Sequence, residues 1–530
     1  MNEVQRPLFK PWVPEWLIRG SIGIVMLPLL ALFGLFTSNI NATAGYYGIE
    51  PVDVQYSTIL YYAALVSFYS LEQRFFNYLP TKQYFIINLV LLMATCYVCY
   101  YTRSPFVFLL TRFLQGIFTA GINSICITLI FRRLSGERAR EIGYSIFYGL
   151  LVISAPLTMF SASLIIEYFG YQALYKAMVY MILPGSVLLM SIMNNIRLGR
   201  RFPLYQLDWS SFIYYVCFLC LFSYILIYGQ TNYWLENFHV WACMGALLVL
   251  MPLFIIRQNS LKRPFMNLAV FKYSNFRIGA FLLISFYICR GSLNITSNYF
   301  DAVLGMDPIH VSELMLANMI GVAVSVLVSS RLILQKRPMR MIWLSGFGFL
   351  LLFHGWMYFL FSVEADASTF VLPLIVQGLG TGTLMTPLII FTVSSVPAAI
   401  GNSASMAGIL FRFTGFTLSM ATITSFQLFS KSVHQDDFRN QITVLSTVVT
   451  DRLAGYQHQM EAHGIPQDQA AKIATGLLNK AVEKQMLLRY AMDYYSWVCW
   501  GILFVMLLIA LYPYFSHTVL NLKTRQPEPY

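Results

Sequence analysis

Apolar residues in this chain come in runs of about twenty, separated by short polar punctuation, and fourteen such runs can be counted. They lie at approximately 18–40, 55–75, 84–102, 105–130, 142–166, 172–194, 209–229, 238–256, 278–299, 312–333, 341–363, 369–393, 404–430 and 490–515. About twenty helical residues cross the roughly 30 Å hydrocarbon core of a bilayer, so each run predicts one transmembrane helix. The pattern as a whole predicts an all-α polytopic membrane protein. The first run is too long for the apolar region of a secretory signal. It also has Arg19 inside its start and no small-residue cleavage site before Asn39, so it is expected to be retained.

The polar punctuation alternates in charge. One set of loops carries Arg6 and Lys10, Arg74 and Lys82, then Arg132, Arg133, Arg138 and Arg140, then Arg197, Arg200 and Arg201. The set continues with Arg257, Lys262, Arg263, Lys272 and Arg277, then Arg331, Lys336, Arg337 and Arg340, and ends with Lys523 and Arg525. The alternate loops at 43–54, 230–237, 300–311 and 364–368 hold Glu50, Asp53, Glu236, Asp301, Asp307, Glu364 and Asp366, with no Lys or Arg. Translocation of short basic loops is disfavoured, which places both termini on the cytoplasmic side.

Composition excludes a soluble fold: 58% of residues are hydrophobic and 11% charged, against about 25% charged in soluble chains. The net charge of +12 follows the loop asymmetry and suits contact with anionic membrane lipid rather than nucleic acid. All eight cysteines fall inside apolar runs, so no disulfide framework is expected. The pairs Cys96/Cys99 and Cys217/Cys220 have no His or carboxylate beside them and read as packing residues; no metal site or cofactor is expected. Neither a phosphate-cradling G-x-x-x-x-G-K-S/T loop nor a Ser/His/Asp arrangement is present, which argues against an ATP-driven pump and against an enzyme.

One long segment, 432–488, lies between the last two runs on the side opposite the basic loops. It predicts a helix from Asp436 to His463 with an apolar stripe of Ile442, Val444, Leu445, Val448, Val449 and Leu453, stopped by Gly464 and Pro466. A second helix begins near Gln467 and leads into the last run. Such a stripe either binds a partner helix or caps the outer mouth of the protein.

Several motifs sit inside the runs. The fourth contains Arg112, Gln115 and Gly116, an arginine at a depth where a lone charge costs several kcal/mol. The twelfth carries Gln377, Gly378, Gly380, Gly382 and Pro387, a small-residue face that permits close packing and a proline that loosens the backbone. In this order and spacing the motifs resemble the major facilitator superfamily, in particular its fourteen-helix drug/proton antiporter branch. Arg112, Gln115 and Gly116 match the R-x-x-Q-G motif of the fourth helix. Gln377 to Pro387 match the Q-G-x-G-x-G…P helix, and Pro264 to Leu268 with Phe271, Asn275 and Phe276 resemble the lead-in to the ninth. Asp208 and the long outer segment fit as well.

The resemblance implies two six-helix bundles that rock about a central site. The expected organisation is a cytoplasmic N-terminus at 1–17, an N-terminal bundle at 18–200, two inserted helices with linkers at 201–260, a C-terminal bundle at 261–515 that includes segment 432–488, and a cytoplasmic tail at 516–530. It also implies the inner membrane of a double-membraned bacterium, and a periplasmic adaptor of the membrane-fusion type docking on 432–488. The departures bear on mechanism. Aligning Asn41 with the branch's first-helix asparagine places Phe36 where a carboxylate is usual. The glycine-rich loop motif survives only as Glu72, Gln73, Arg74 and Lys82, and the antiporter motif of the fifth helix as Ala155 and Pro156.

What stays charged at membrane depth is mainly cationic: Arg112, Arg290 and Arg412, with His354 in mid-run and Asp493 near the start of the last. Planar guanidinium forks suit carboxylate and phosphate, so an anionic or zwitterionic amphiphile is the expected small-molecule cargo. The substrate-binding set is Arg290, Asn294, Asn298, Arg112, Gln115, Arg412, Gln377 and Asn41. Proton-coupling candidates are His354, Arg112 and Glu72. Gly116, Pro156, Gly378, Gly380, Gly382 and Pro387 are expected to serve packing and bending. Three classes stay open: a secondary transporter exporting amphiphiles or drugs, a dedicated exporter or flippase of one lipid, siderophore or metabolite, and a non-transporting receptor or assembly subunit.

Overall fold

A computed structural model describes residues 8–511 apart from 37, 135–138, 198–207 and 443–445. Arg6, Arg138, Arg200, Arg201, Val444, Leu445, Lys523, Arg525 and the tail at 516–530 lie outside the described residues. In chain order the helices are α1 (Glu15–Gly34), α2 (Ile40–Tyr47), α3 (Pro51–Tyr78), α4 (Thr81–Tyr101), α5 (Pro105–Arg133), α6 (Ala139–Phe169), α7 (Ala173–Ile192), α8 (Trp209–Tyr228) and α9 (Phe238–Ser260). They continue as α10 (Ser274–Gly291), α11 (Leu293–Ala302), α12 (Pro308–Leu334), α13 (Met339–Leu360), α14 (Val371–Ser394), α15 (Gly401–Gln441), α16 (Thr447–Ala462) and α17 (Gln467–Leu511).

Among the described residues, thirteen helical segments are long and apolar enough to cross a membrane, α10 and α11 counting as one. The fourteenth is α3, 28 residues long, in which Asp53, Gln55, Glu72 and several hydroxyls dilute the apolar signal. Its start is well marked. Pro51 occupies the first turn, and Glu50 with Asp53 forms a reciprocal capping box.

The fold is two six-helix bundles with two helices inserted between them in sequence. In the first bundle α3 and α4 pack on α5, and α1 packs on α6 and α7. In the second, α14 lies between α12 and α13 while α10 and α17 pack against α15. The bundles meet where α6 touches α12 and α14, and where α3 touches α15. Inserted α8 packs on α3 and α15, and α9 rests on α8 with most of its surface turned outward.

Glycine sets the closest approaches. A Cβ at Gly116 would meet Tyr61 carbonyl oxygen and, at 2.9 Å, Ala64 Cβ; one at Gly378 would meet the carbonyl oxygen of Asn318 and, at 2.9 Å, the amide of Val322. Those two contacts bring α5 onto α3 and α14 onto α12 at backbone distance, as small-residue faces allow.

Two expectations need correction. The first run is not one helix to residue 40. It stops at Gly34, and Asn39 caps the separate α2, its side chain accepting from the Ala42 amide at 3.0 Å. In segment 432–488, the helix expected from Asp436 to His463 is divided. Extending an existing helix costs far less than nucleating a new one, so α15 carries on to Gln441. A separate α16 then runs from Thr447, turns at Gly464 (φ 83°) and Pro466, and pairs with α17. Asp493 ties α17 to α15 by accepting from Ser430 at 3.2 Å and pairing with His434 at 2.7 Å.

Candidate functional site: a cationic cavity between the bundles

A cavity of about 330 Å³ lies between the two bundles, walled by α1, α3, α5 and α6 from the first and by α10, α11, α12, α14 and α15 from the second. That volume falls in the range of drug-sized ligand sites. Its apolar surface comes from side chains such as Leu30, Phe33, Met159, Phe416 and Met420. Phe33 and Phe416, with ring centres 5.2 Å apart, join α1 to α15 across it.

The wall contains Arg290 and Arg412 but no Asp or Glu among its described residues. Arg412 is buried on α15, held beside α6 by Tyr148, whose ring centre is 5.0 Å from the guanidinium carbon. Tyr62, Tyr69 and Tyr287 complete the phenols around it. Arg290 stands one residue before the junction of α10 and α11; its carbonyl accepts from the Ser292 amide, while its guanidinium makes no hydrogen bond or ion pair among the described residues. The junction is close-packed: a Cβ on Gly291 would collide with the Ser419 side chain of α15. An arginine in an apolar cavity with neutral neighbours keeps its charge uncompensated, which strengthens its attraction for an incoming anion.

Polar atoms without partners point to the same space. Asn123, Gln377, Thr381 and Ser419 belong to the wall, and their buried atoms Oδ1, Nε2, Oγ1 and Oγ have no hydrogen-bond partner among the described residues. Buried polar groups are normally satisfied, so these are contacts available to a ligand or water. Gln377 itself accepts from Asn318 Nδ2 across the α12–α14 contact, and Asn318 also donates to Leu374 carbonyl at 3.0 Å.

Of the substrate-binding candidates, the structure brings together Arg290, Asn294, Arg412 and Gln377. It does not bring Arg112, Gln115, Asn298 or Asn41 to this wall. Arg112 is fully buried inside the first bundle, sandwiched between the rings of Phe36 at 4.5 Å and Tyr61 at 4.6 Å. It donates to the carbonyls of Leu32 at 3.3 Å and Phe33 at 3.4 Å and to Gln115 Oε1 at 3.0 Å. Its charge is answered by carbonyl dipoles near the end of α1, and Phe36, in the place expected for a carboxylate, supplies one of the two aromatic faces. Asn298 and Asn41 are exposed away from the cavity.

The proton-coupling candidates also sit apart from the wall. His354 is fully buried on α13, with Nε2 2.7 Å from Ser292 Oγ and Nδ1 2.6 Å from the Leu350 carbonyl. Glu72 is fully buried on α3, where Oε2 accepts from Ser124 Oγ on α5 at 2.6 Å. Pro156 lines the cavity on α6; Gly380, Gly382 and Pro387 are buried within α14. The phenols Tyr62, Tyr69, Tyr148 and Tyr287 and the polar Asn123, Thr381 and Ser419 are wall residues that sequence reasoning did not single out. A weak signal existed in Tyr62 and Tyr69, seven residues apart and therefore on one face of α3.

Fourteen membrane-crossing helices in two bundles around a shared cavity define a multi-pass transporter fold. The chain belongs to the Major Facilitator Superfamily, whose family model matches residues 22–422. It is 21% identical over 332 residues to the drug efflux pump JefA of Mycobacterium tuberculosis, a match covering 62% of this chain and 63% of that pump's length. Among solved structures it is similar to the peptide transporter POT in complex with sulfate, with 13% identity, TM-score 0.55, and 94% and 96% of the two chains covered. A POT family transporter in complex with 5-aminolevulinic acid matches with 12% identity, TM-score 0.56, and the same coverage. At such identity these structures share the fold alone.

Proposed function

We propose that this protein is a secondary active transporter that exports amphiphilic anions, drugs among them, across the inner membrane by alternating access, driven by a proton gradient. The observation that carries the reading is Arg290, a guanidinium in the wall of the inter-bundle cavity without a carboxylate in that wall to neutralise it. Apolar and aromatic wall residues suit the body of an amphiphile, and the arginine suits its charged head. Weak similarity to a pump named for drug efflux supports export. With no phosphate-cradling loop in the sequence, a gradient is the energy source that fits.

The test is uptake into proteoliposomes of an anionic fluorescent amphiphile under an imposed pH gradient. Arg290→Ala is expected to abolish it while leaving the protein inserted and monodisperse. Unchanged transport kinetics in that variant would remove Arg290 from the site, and transport confined to lipophilic cations would overturn the anion reading. Proton coupling is assigned to Glu72, a carboxyl buried between α3 and α5 that forms no ion pair among the described residues.

A further inference from the structure

Arg290 and Arg412 do not occupy separate corners of the cavity. Tyr62 on α3 and Tyr287 on α10 each interact with both guanidiniums, so the two arginines are neighbours of one phenol pair. Phenols can donate and accept hydrogen bonds, but they do not cancel two formal positive charges. With no Asp or Glu in the described wall, the site holds two cations and no anion. Beside apolar walls like charges repel more strongly than in bulk water, and a ligand with one negative charge leaves half of the imbalance in place.

A second observation points to an oxyanion. Ser419 Oγ is buried, unpartnered and set against Gly291, the residue next to Arg290. Gln377 Nε2 on α14 is a further unpartnered donor in the same wall. A guanidinium fork, a hydroxyl and an amide are the donors that a tetrahedral or branched oxyanion can use.

We infer that the cargo carries two negative charges on one head group, of the kind a phosphate monoester presents, with an apolar body lying against Phe33, Phe416 and Met420. The inference rests on the anion-export reading and narrows it to a dianion. Arg290 and Arg412 divide the head group between them, with Tyr62 and Tyr287 in the same wall.

Phenyl phosphate and phenyl sulfate supply the test, because they share a ring and a tetrahedral four-oxygen head. At pH 8 they differ by one charge, since a phosphate monoester loses its second proton near pH ~6. Calorimetric binding to the full chain in lipid nanodiscs is expected to favour phenyl phosphate by about tenfold or more, that is, about 1.4 kcal/mol. Arg412→Gln is expected to bring the ratio near one while phenyl sulfate still binds. Arg412→Lys, which keeps the charge and guards against a folding defect in the first variant, is expected to keep the preference. Equal affinities in the native protein, or two phenyl sulfates bound per chain, overturn the dianion inference and leave anion export standing. Failure of both anions to bind, with tetraphenylphosphonium binding instead, overturns the underlying reading as well.

Discussion

The guanidinium of Arg412 on α15 lies 5.0 Å from the ring centre of Tyr148 on α6, so a charge belonging to one bundle rests on an aromatic face of the other. Both residues line the inter-bundle cavity, so the alternating access proposed above would change this contact as the bundles rock. A cation over an aromatic ring is worth about 0.5–2 kcal/mol, depending on desolvation. Tyr148→Phe keeps the ring and is expected to hold proteoliposome uptake within about threefold of the native rate, whereas Tyr148→Ala is expected to lower it about tenfold. Equal rates for the two variants would show that the ring face does not support Arg412.

Packing at Gly378 makes a stability prediction that is independent of cargo. A side chain there runs into the backbone of α12 at Asn318 and Val322, atoms that cannot swing aside. Overpacking of this kind costs about 1–3 kcal/mol, so Gly378→Val should lower the unfolding temperature measured in detergent. Gly355 on α13 faces open space. Gly355→Ala therefore serves as the control and should be neutral or slightly stabilising, by up to about 1 kcal/mol of helix propensity. A loss of stability in the control equal to that in Gly378→Val would separate the effect from packing.

The spans were legible because hydropathy over twenty residues reports the solvent directly, and even α3, diluted by polar residues, was found because 55–75 still reads as a mostly apolar run. Arg112 was not legible. Sequence places an arginine at depth but does not say whether a cavity or the carbonyl ends of another helix will meet it, and Leu32 and Phe33 of α1 are some eighty residues away. The phenols around Arg412 were hidden for the same reason, since α3, α6 and α10 each contribute part of the set. Arg290 and Asn294 were found together because one helical turn separates them.

Glu72 and His354 make opposite predictions about pH. Glu72→Gln keeps an acceptor for Ser124 but removes the titratable carboxyl to which proton coupling is assigned above. It is expected to flatten the dependence of uptake on the imposed pH gradient while binding of cargo persists. His354 has both ring nitrogens engaged, by Ser292 and by the Leu350 carbonyl. His354→Gln is expected to cost about 1–3 kcal/mol of stability by leaving a buried polar group unpaired, with the pH profile unchanged. A flattened profile for His354→Gln and a native one for Glu72→Gln would move the proton site to α13.

At the membrane surface, Asp208 caps α8 and clips it to the end of α9. Its carboxylate accepts from Ser211 amide at 3.2 Å and pairs with Arg257 at 2.7 Å, while Arg257 and Gln258 both reach Ser211 Oγ. Partial burial alone would raise its pKa. The Ser211 hydrogen bonds and the Arg257 charge outweigh that, and the carboxyl lies below the ordinary aspartate value. A depressed folded-state pKa contributes stability that is present above the unfolded value of about 3.9 and is lost as pH falls through the folded value. Asp208→Asn keeps a good helix cap and loses the ion pair, so it is expected to cost roughly 0.2–1 kcal/mol at pH 7. Asp208→Ala loses both and is expected to cost about 1–2 kcal/mol. Thermal unfolding in detergent checks the order, and the gap between native and Asn variant should close below about pH 4. A gap that stays the same size well below that pH, where the carboxyl is protonated in both the folded and the unfolded chain, would mean that the carboxylate charge contributes nothing to the clip.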